Sequence, residues 1–413
     1  MKVLLINKYL YPRGGDAVST ITTGKILKAR GHDVQFWGMA HPDNPEYEMS
    51  RHFVDHIDYG TTGGLVNQLS TAGKLLYSLE AKKKLKKLLR EFRPDIVHLN
   101  NFAHQISPSI LHVLKTEKIP SVMTMRDYKM VCPSYAMLDG GQPCQKCEHQ
   151  QFSWCFKRKC VKGSAMKSAL NTVEMYLHHK VLNIYKNIDC YISPSRFLQH
   201  KVKEMGLPFP VEHVFNCVNP EIYTPCYDSE SREIAFFGRL SHEKGLVTLI
   251  DAVKGLDITL NIIGDGPQKP ELEQYVLTHG MGNVKLSGHM KGDELYSAIK
   301  RALFTVVPSE WYENNPRSVI EAFALGKPVI GSNIGGIPEL IKNRETGLLY
   351  EAGNTESLRN KITWFLDNRP RIPAMGKAGR QFVEDELNQT THYEQLIKIY
   401  ENVVNNANIT NPG

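Results

Sequence analysis

No stretch of this chain stays apolar long enough to cross a bilayer, so nothing in it reads as a membrane span. The opening Met1-Lys2-Val3-Leu4-Leu5-Ile6-Asn7 has an apolar run too short for a secretory signal, and no small-residue cleavage site follows it. Internal repeats and low-complexity segments are missing too, which removes fibres and disordered tails. These absences lead to the expectation of a cytoplasmic protein, in which the eight cysteines are reduced or metal-bound.

What is present is a globular composition. A length of 413 residues, 41% of them hydrophobic, is enough for two domains with separate cores. The formal net charge of +7 suits nucleic acid, anionic lipid or phosphorylated substrates, and does not choose among them.

Strand and helix patterns alternate in two runs, which predicts parallel sheets covered by helices. In the first run, strands are expected at Val3 to Ile6, Val34 to Trp37, Ile96 to Leu99 and Ser121 to Thr124. Helices are expected at Val18 to Ala29, Ala81 to Phe92 and Ile110 to Thr116. In the second run, strands are expected at Ile234 to Phe237, Ile258 to Ile263, Val284 to Leu286, Thr305 to Val307 and Pro328 to Gly331. The crossing from one run to the other falls near Asp189 to Ser195. The expected division is a first domain over 1–190, a second over 191–385, and a terminal helix over 386–413. That helix has Tyr393, Leu396, Ile397, Tyr400, Val403 and Val404 on one stripe and is expected to pack back toward the first domain.

Two facing doubly wound domains bring the carboxyl ends of both sheets to one cleft, where such folds bind ligands. The informative residues fall in those loops. After the first strand, Tyr11-Pro12-Arg13-Gly14-Gly15-Asp16 enters a helix through two glycines that let a phosphate or sugar approach the backbone, although it lacks the G-x-G-x-x-G fingerprint. After the first strand of the second run, Gly238-Arg239-Leu240-Ser241-His242-Glu243-Lys244-Gly245 places two cations in one loop, where Arg239 and Lys244 can grip a diphosphate. Gly264-Asp265-Gly266-Pro267 and Gly288-His289-Met290 follow the next two strands and can frame a slot for a flat base. The richest segment is Pro308 to Glu321. It predicts a turn and then a helix with Asn315 as N-cap and Pro316 at the first helical position, flanked by the carboxylates of Glu313 and Glu321.

This ordered set resembles the retaining glycosyltransferases of family 4, which have the GT-B fold of two facing Rossmann-like domains. The likeness covers nearly the whole chain: the Gly-Arg-Leu loop ending in Lys244-Gly245, the Gly264-x-Gly266-Pro267 turn, the Ser287-Gly288 strand end, the Glu313-x7-Glu321 segment and the N-terminal Gly14-Gly15 turn. The resemblance implies that Arg239 and Lys244 hold the donor diphosphate and that Glu313 contacts the donor sugar. Glu321 would bind the ribose, Asn314 and Asn315 would support sugar and phosphate, and Gly15 would approach the diphosphate from the other domain. It implies a nucleotide-sugar donor, no catalytic metal, and a glycan or lipid-linked acceptor of cell-surface polysaccharide synthesis. No nucleic-acid partner is expected.

One position departs from the pattern. Many relatives carry His-Asp at the end of a first-domain strand, whereas this chain has Arg126-Asp127 there, and an arginine cannot act as a base at neutral pH. Arg126, Asp127, His98 and His104 are the acceptor-side candidates, with a core position the alternative for His98. The stretch 132–160 holds Cys144-x-x-Cys147, Cys155 and Cys160, with Cys132 upstream as an alternative ligand, in spacing suited to a tetrahedral site. Structural zinc is the first reading, with an iron–sulfur centre, a redox pair and free thiols as the others. Lys82, Lys83, Lys84, Lys86, Lys87 and Arg90 crowd one helix, either as a solvated face or as a contact to the anionic inner face of a membrane. The stripe Leu170, Val173, Leu177, Val181, Ile184 and Ile188 is expected in the core. A nucleotide-sugar epimerase would explain the cleft but not the Glu313 to Glu321 segment. A zinc-stabilised nucleic-acid binder would explain charge and cysteines but leaves the glycine turns idle.

Overall fold

The computed structural model describes residues 1–56, 73–104, 106–227 and 230–410. Two six-stranded sheets carry the chain, and every pairing within them is parallel. Their strands are near-continuous runs of Val, Ile, Leu and Phe because helices cover both faces of a parallel sheet. Val3, Leu4, Leu5 and Ile6 are fully buried, as are Ile234 and Ala235 at the centre of the second sheet.

In the first sheet the spatial order is Asp33–Trp37, Lys2–Ile6, Ile96–Leu99, Ser121–Thr124, Cys190–Ser193, Val211–His213. In the second it is Val284–Gly288, Thr259–Ile263, Glu233–Phe237, Thr305–Val307, Val329–Ser332, Gly347–Tyr350. Each order reverses once, beside Lys2–Ile6 in one sheet and beside Glu233–Phe237 in the other. At those reversals the loops leave in opposite directions and open a crevice beyond the carboxyl ends of the strands. The Gly14-Gly15 turn and Asn100 stand at the first reversal. The Arg239 loop and the 308–316 turn stand at the second.

The last helix, Gln389–Thr410, buries Leu396, Ile399, Tyr400 and Val403 in the core of the first sheet. Tyr400 Oη lies 2.6 Å from His98 Nδ1, and Tyr393 Oη lies 2.8 Å from His32 Nε2.

Three expectations change. The first helix runs Gly15–Ala29, so it begins at the glycine turn itself and aims its free N–H groups at the crevice. The helix after the 308–316 turn runs Arg317–Ala324, with Pro316 as its extended N-cap (φ −67°, ψ 116°). Asn315 does not cap it, because its Oδ1 accepts the Asn216 backbone N–H at 3.1 Å. The stripe expected in the core divides: Ile184 and Ile188 are buried, but Val173 and Val181 are 54% and 74% exposed, because the helix Ala165–Tyr176 buries Ser168, Asn171, Thr172, Glu174 and Met175 instead. The one carboxylate on that inward face is paired: Glu174 Oε2 accepts from Lys129 Nζ at 2.7 Å.

Candidate active site

A cavity of about 880 Å³ lies between the two sheets' carboxyl ends. From the first domain Gly14, Gly15, Arg126 and Asp127 line it; from the second, Arg239, Lys244, Gly264, His289 and Met290. Glu313, Asn314, Asn315 and Glu321 complete the wall. Gly266 and Gly288 stand behind it. A Cβ on Gly264 would come within 1.9 Å of Gly238 O, and one on Gly266 within 2.2 Å of Leu240 O, so these glycines let the cation loop pack on its neighbour. Gly15 is different: the nearest atom to its absent Cβ is Arg317 Cδ, 3.9 Å away across the cleft, and the space is left open to a ligand.

The buried carboxylate of the site is Glu313, whose side chain is 8% exposed. Its Oε1 accepts hydrogen bonds from Lys244 Nζ and, at 2.7 Å, from Ser309 Oγ. Burial opposes the charge, but the Lys244 ammonium and these hydrogen bonds outweigh it and hold Glu313 below its ordinary pKa. The sequence reading had assigned Lys244 to phosphate and Glu313 to sugar as separate groups, whereas the structure joins them. Arg239 is exposed, and no carboxylate lies within 4.0 Å of it among the described residues. Glu321 Oε1 accepts from Arg317 Nη2 at 3.1 Å, and burial raises its pKa in spite of that cation.

Sequence reasoning missed what holds the 312–316 turn. Gly336 donates its N–H to Glu313 O at 2.7 Å, and a Cβ on Gly336 would come within 1.8 Å of Asn314 O. The signal was present as two consecutive glycines, Gly335-Gly336, just beyond the strand Val329–Ser332. The first sheet runs past the expected boundary at 190, through Cys190–Ser193 and Val211–His213, and from that side Ser195 Oγ donates to Asn314 Oδ1 at 2.7 Å, while Asn314 Nδ2 donates to Met125 O at 3.3 Å. The turn is therefore braced by both domains.

The acceptor-side candidates separate. Arg126 and Asp127 reach the cleft, and burial raises the Asp127 carboxyl above its ordinary pKa despite the Lys129 N–H and the nearby Lys8. His98 does not reach it. Its ring is enclosed between Tyr400 Oη and Thr124 Oγ1 (2.6 and 2.7 Å), and burial pushes its pKa down to about 3. His104 Nε2 lies 3.2 Å from Glu174 Oε2 and belongs to the Lys129 cluster.

All eight cysteines are free thiols. Among the described residues no three His, Cys, Asp or Glu side chains stand ready to hold a metal ion, although Cys132, Cys144 and Cys160 are near enough for Cys147 to feel their charge. Instead Cys160 hydrogen-bonds Cys155, which lowers the Cys155 pKa, while burial raises Cys132 and pushes Cys147 up to about 12. The lysine-rich helix Leu79–Glu91 is also less bare than expected: Lys84 pairs with Asp55 and Glu80, and Lys86 with Glu117.

Comparison with known proteins agrees with this geometry. The Glycosyltransferase Family 4 profile matches residues 13–222, and the Glycosyl transferases group 1 profile matches residues 227–382. An uncharacterized glycosyltransferase of Methanocaldococcus jannaschii is 30% identical over 48% of this chain, a match spanning about half (55%) of that relative's length. An uncharacterized 42.6 kDa protein in the cps region of Klebsiella pneumoniae is 25% identical over 82% of this chain and 87% of its own. Sucrose-phosphate synthase from Thermosynechococcus elongatus superposes with a TM-score of 0.71 at 20% identity, covering 97% of this chain and 98% of that one. Anabaena HepE in complex with UDP superposes at 0.67 with 17% identity, covering 97% and 100%. These likenesses are of fold, the GT-B arrangement of two parallel-sheet domains about a cleft. With a profile covering half of the sequence, the chain belongs to glycosyltransferase family 4.

Proposed function

We propose that this glycosyltransferase moves a sugar, with retention, from a nucleoside-diphosphate sugar to a glycan or lipid-linked acceptor of cell-surface polysaccharide synthesis. The observation that carries the reading is one cleft. In it the Arg239 and Lys244 loop, Glu313 and Glu321 face the Gly14-Gly15 helix start across an opening of about 880 Å³. The helices Gly15–Ala29 and Arg317–Ala324 both begin at its wall, and their free N–H groups favour a phosphate. Two relatives add support: HepE is known in complex with UDP-glucose, and the Klebsiella relative is named for a cps region.

In the proposed reaction the bond between the sugar's anomeric carbon and the diphosphate oxygen breaks, and its electron pair stays on the phosphate. An acceptor hydroxyl attacks from the face the diphosphate leaves, and its proton passes to the departing phosphate oxygen. Arg239, Lys244 and the helix starts stabilise the charge that develops on the diphosphate; a well-aimed donor of this kind contributes about 3–4 kcal/mol. On this reading the cations do the work a divalent metal does elsewhere, so turnover persists in EDTA. Glu313 fixes Lys244 and leaves its outer face to the sugar.

A thermal-shift screen of the purified protein with UDP, GDP and ADP in EDTA tests the donor cleft, because a ligand of the folded state raises the midpoint by mass action. Stabilisation by one of them, lost in Arg239→Ala, is expected. No shift with any of the three, together with a shift on oligonucleotides, would replace the transferase reading with a binding role.

A further inference from the structure

Arg126 stands at the cleft wall at the carboxyl end of Ser121–Thr124, and its surroundings are unusual for a guanidinium. Nε and Nη2 donate to Asn100 Oδ1 at 3.0 and 2.8 Å, and Nη1 donates to Asn216 Oδ1 at 2.9 Å. All three bonds end on two neutral amide oxygens. Among the described residues no carboxylate oxygen comes within 4.0 Å of it, and the next cation, Arg317, is itself tied to Glu321. Asp16, the acid whose field reaches it, is bonded to Asn101 Nδ2 at 3.1 Å. Asp127, next in sequence, accepts the Lys129 N–H at 2.9 Å and lies in the field of Lys8.

A charge that is largely out of water and hydrogen-bonded only to neutral dipoles, with Asp16 acting on it from beyond ion-pair distance, is under-compensated in the empty protein. Burial and Arg317 push its pKa down to about 10, and Arg126 is still charged at neutral pH. Three of its five N–H groups are used, and the asparagines fix the plane of the fork.

The position within the cleft is equally specific. Asn216, which holds Arg126, also donates its Nδ2 to Asn315 O at 3.2 Å. Arg126 is thereby attached to the turn that follows Thr305–Val307. The diphosphate loop follows the neighbouring strand Glu233–Phe237, and the base slot, at His289 and Met290, follows the far edge strand Val284–Gly288. The link through Asn216 ties Arg126 to the turn that the resemblance assigns to the donor sugar.

We propose that Arg126 recognises a carboxylate carried by the sugar units this enzyme handles, so that a uronic acid is either the transferred sugar or the acceptor unit. The assignment rests on the transferase reading above. The planar fork meets a carboxylate through two parallel charge-assisted hydrogen bonds, and a neutral sugar in the same place leaves the guanidinium without a counter-charge.

Calorimetric titration of the full chain tests this with UDP, UDP-glucose and UDP-glucuronate, and in parallel GDP, GDP-mannose and GDP-mannuronate. A second arm titrates methyl glucuronide and methyl glucoside into the UDP- or GDP-saturated protein. If the carboxylate is on the donor, the uronate nucleotide binds at least about tenfold tighter than its neutral partner, and Arg126→Gln removes that preference while leaving UDP or GDP affinity unchanged. If it is on the acceptor, the preference appears only in the second arm and is lost in the same variant. Arg126→Lys, which keeps the charge but not the fork, retains part of the preference in either case. Equal binding of charged and neutral sugars in both arms by the unaltered protein overturns the proposal, and needs no variant to fold. A loss in Arg126→Gln that is the same for UDP or GDP alone as for its sugars overturns it as well, since the arginine would then serve the diphosphate or the structure. Failure of UDP, GDP and ADP alike to bind is the separate result that removes the transferase reading itself.

Discussion

Removing Lys244 strands a carboxylate, and the size of the effect follows from the geometry. Glu313 is 8% exposed and Lys244 22%, so the pair is poorly screened by water. Without Lys244 the carboxylate keeps the Ser309 hydroxyl at 2.7 Å and the neighbouring Trp311 side chain, both neutral. Breaking a buried pair by deleting one partner costs about 3–5 kcal/mol. The carboxyl can escape part of that by taking up a proton. From an ordinary pKa of 4.5, protonation at pH 7 costs about 3.4 kcal/mol, at 1.36 kcal/mol per unit, which caps the penalty near the lower end of the range. Lys244→Ala should therefore lose about 3 kcal/mol, and its thermal midpoint should fall by roughly 6–12 °C for a domain of this size. Glu313→Gln frees an ammonium that can turn toward solvent and should lose less than about 1 kcal/mol. The double variant should match Glu313→Gln rather than the sum, a coupling of about 2–3 kcal/mol.

The pH dependence supplies a sign. In the unaltered protein the folded pKa of Glu313 lies below its unfolded value, so its contribution is complete above 4.5 and is lost as pH falls through the folded value. In Lys244→Ala, burial without a counter-charge raises the folded pKa above 4.5, so the folded state binds the extra proton. That variant should gain stability relative to the unaltered protein as pH drops from 7 toward 5. Scanning calorimetry at several pH values reads both effects. An unchanged midpoint in Lys244→Ala, with an unchanged pH slope, would refute the argument.

Four further outcomes are expected. Arg239→Ala, at an exposed site, should keep its midpoint and lose about 10²–10³-fold in turnover if it serves the leaving diphosphate, measured by nucleotide release. Glu174→Gln should cost about 3–5 kcal/mol in denaturant unfolding, because Lys129, 8% exposed, then loses its carboxylate. His98 and His392 are held neutral by burial, with pKa values pushed down to about 3 and about 4, so the unfolded chain binds more protons below pH 6.5 and their support fades as pH falls. Both touch the terminal helix or its anchor, since His392 Nδ1 donates to Phe215 O at 2.8 Å, so hydrogen exchange in residues 389–410 should rise between pH 6.5 and 4. Metal analysis decides residues 132–160: one zinc per chain means that they close into the tetrahedral site their spacing suggests, and none, with eight titratable thiols in denaturant, means free thiols.

The contrast between Glu313 and Glu174 shows what a linear reading captures. Glu313 was legible because its surroundings are local: a strand of Val and Phe, a turn, a proline and a helix start all fall within a dozen residues, and each has its own backbone rule. The same holds for the glycine and cation loops, which is why most of the cleft wall could be assembled from spacing alone. Glu174 was not legible. By periodicity it borders the apolar stripe, four residues after Leu170 and three before Leu177, where a charged side chain is expected to reach water, but its partner Lys129 is 45 residues away and its second partner His104 is 70 away. A buried ion pair between distant positions takes this carboxylate inside, and no short window of the sequence contains both charges. His98 follows the same logic, since the hydroxyl that encloses it belongs to Tyr400, 302 residues on. Arg126 lies between the two cases. Its departure from the family pattern could be read directly, but the absence of a carboxylate around it depends on Asn100 and Asn216, which only the fold brings together. The residues most informative about substrate are those where a local rule is broken and the long-range contacts do not repair it. At Arg126 the compensation missing from the protein is what a carboxylate on the substrate would supply.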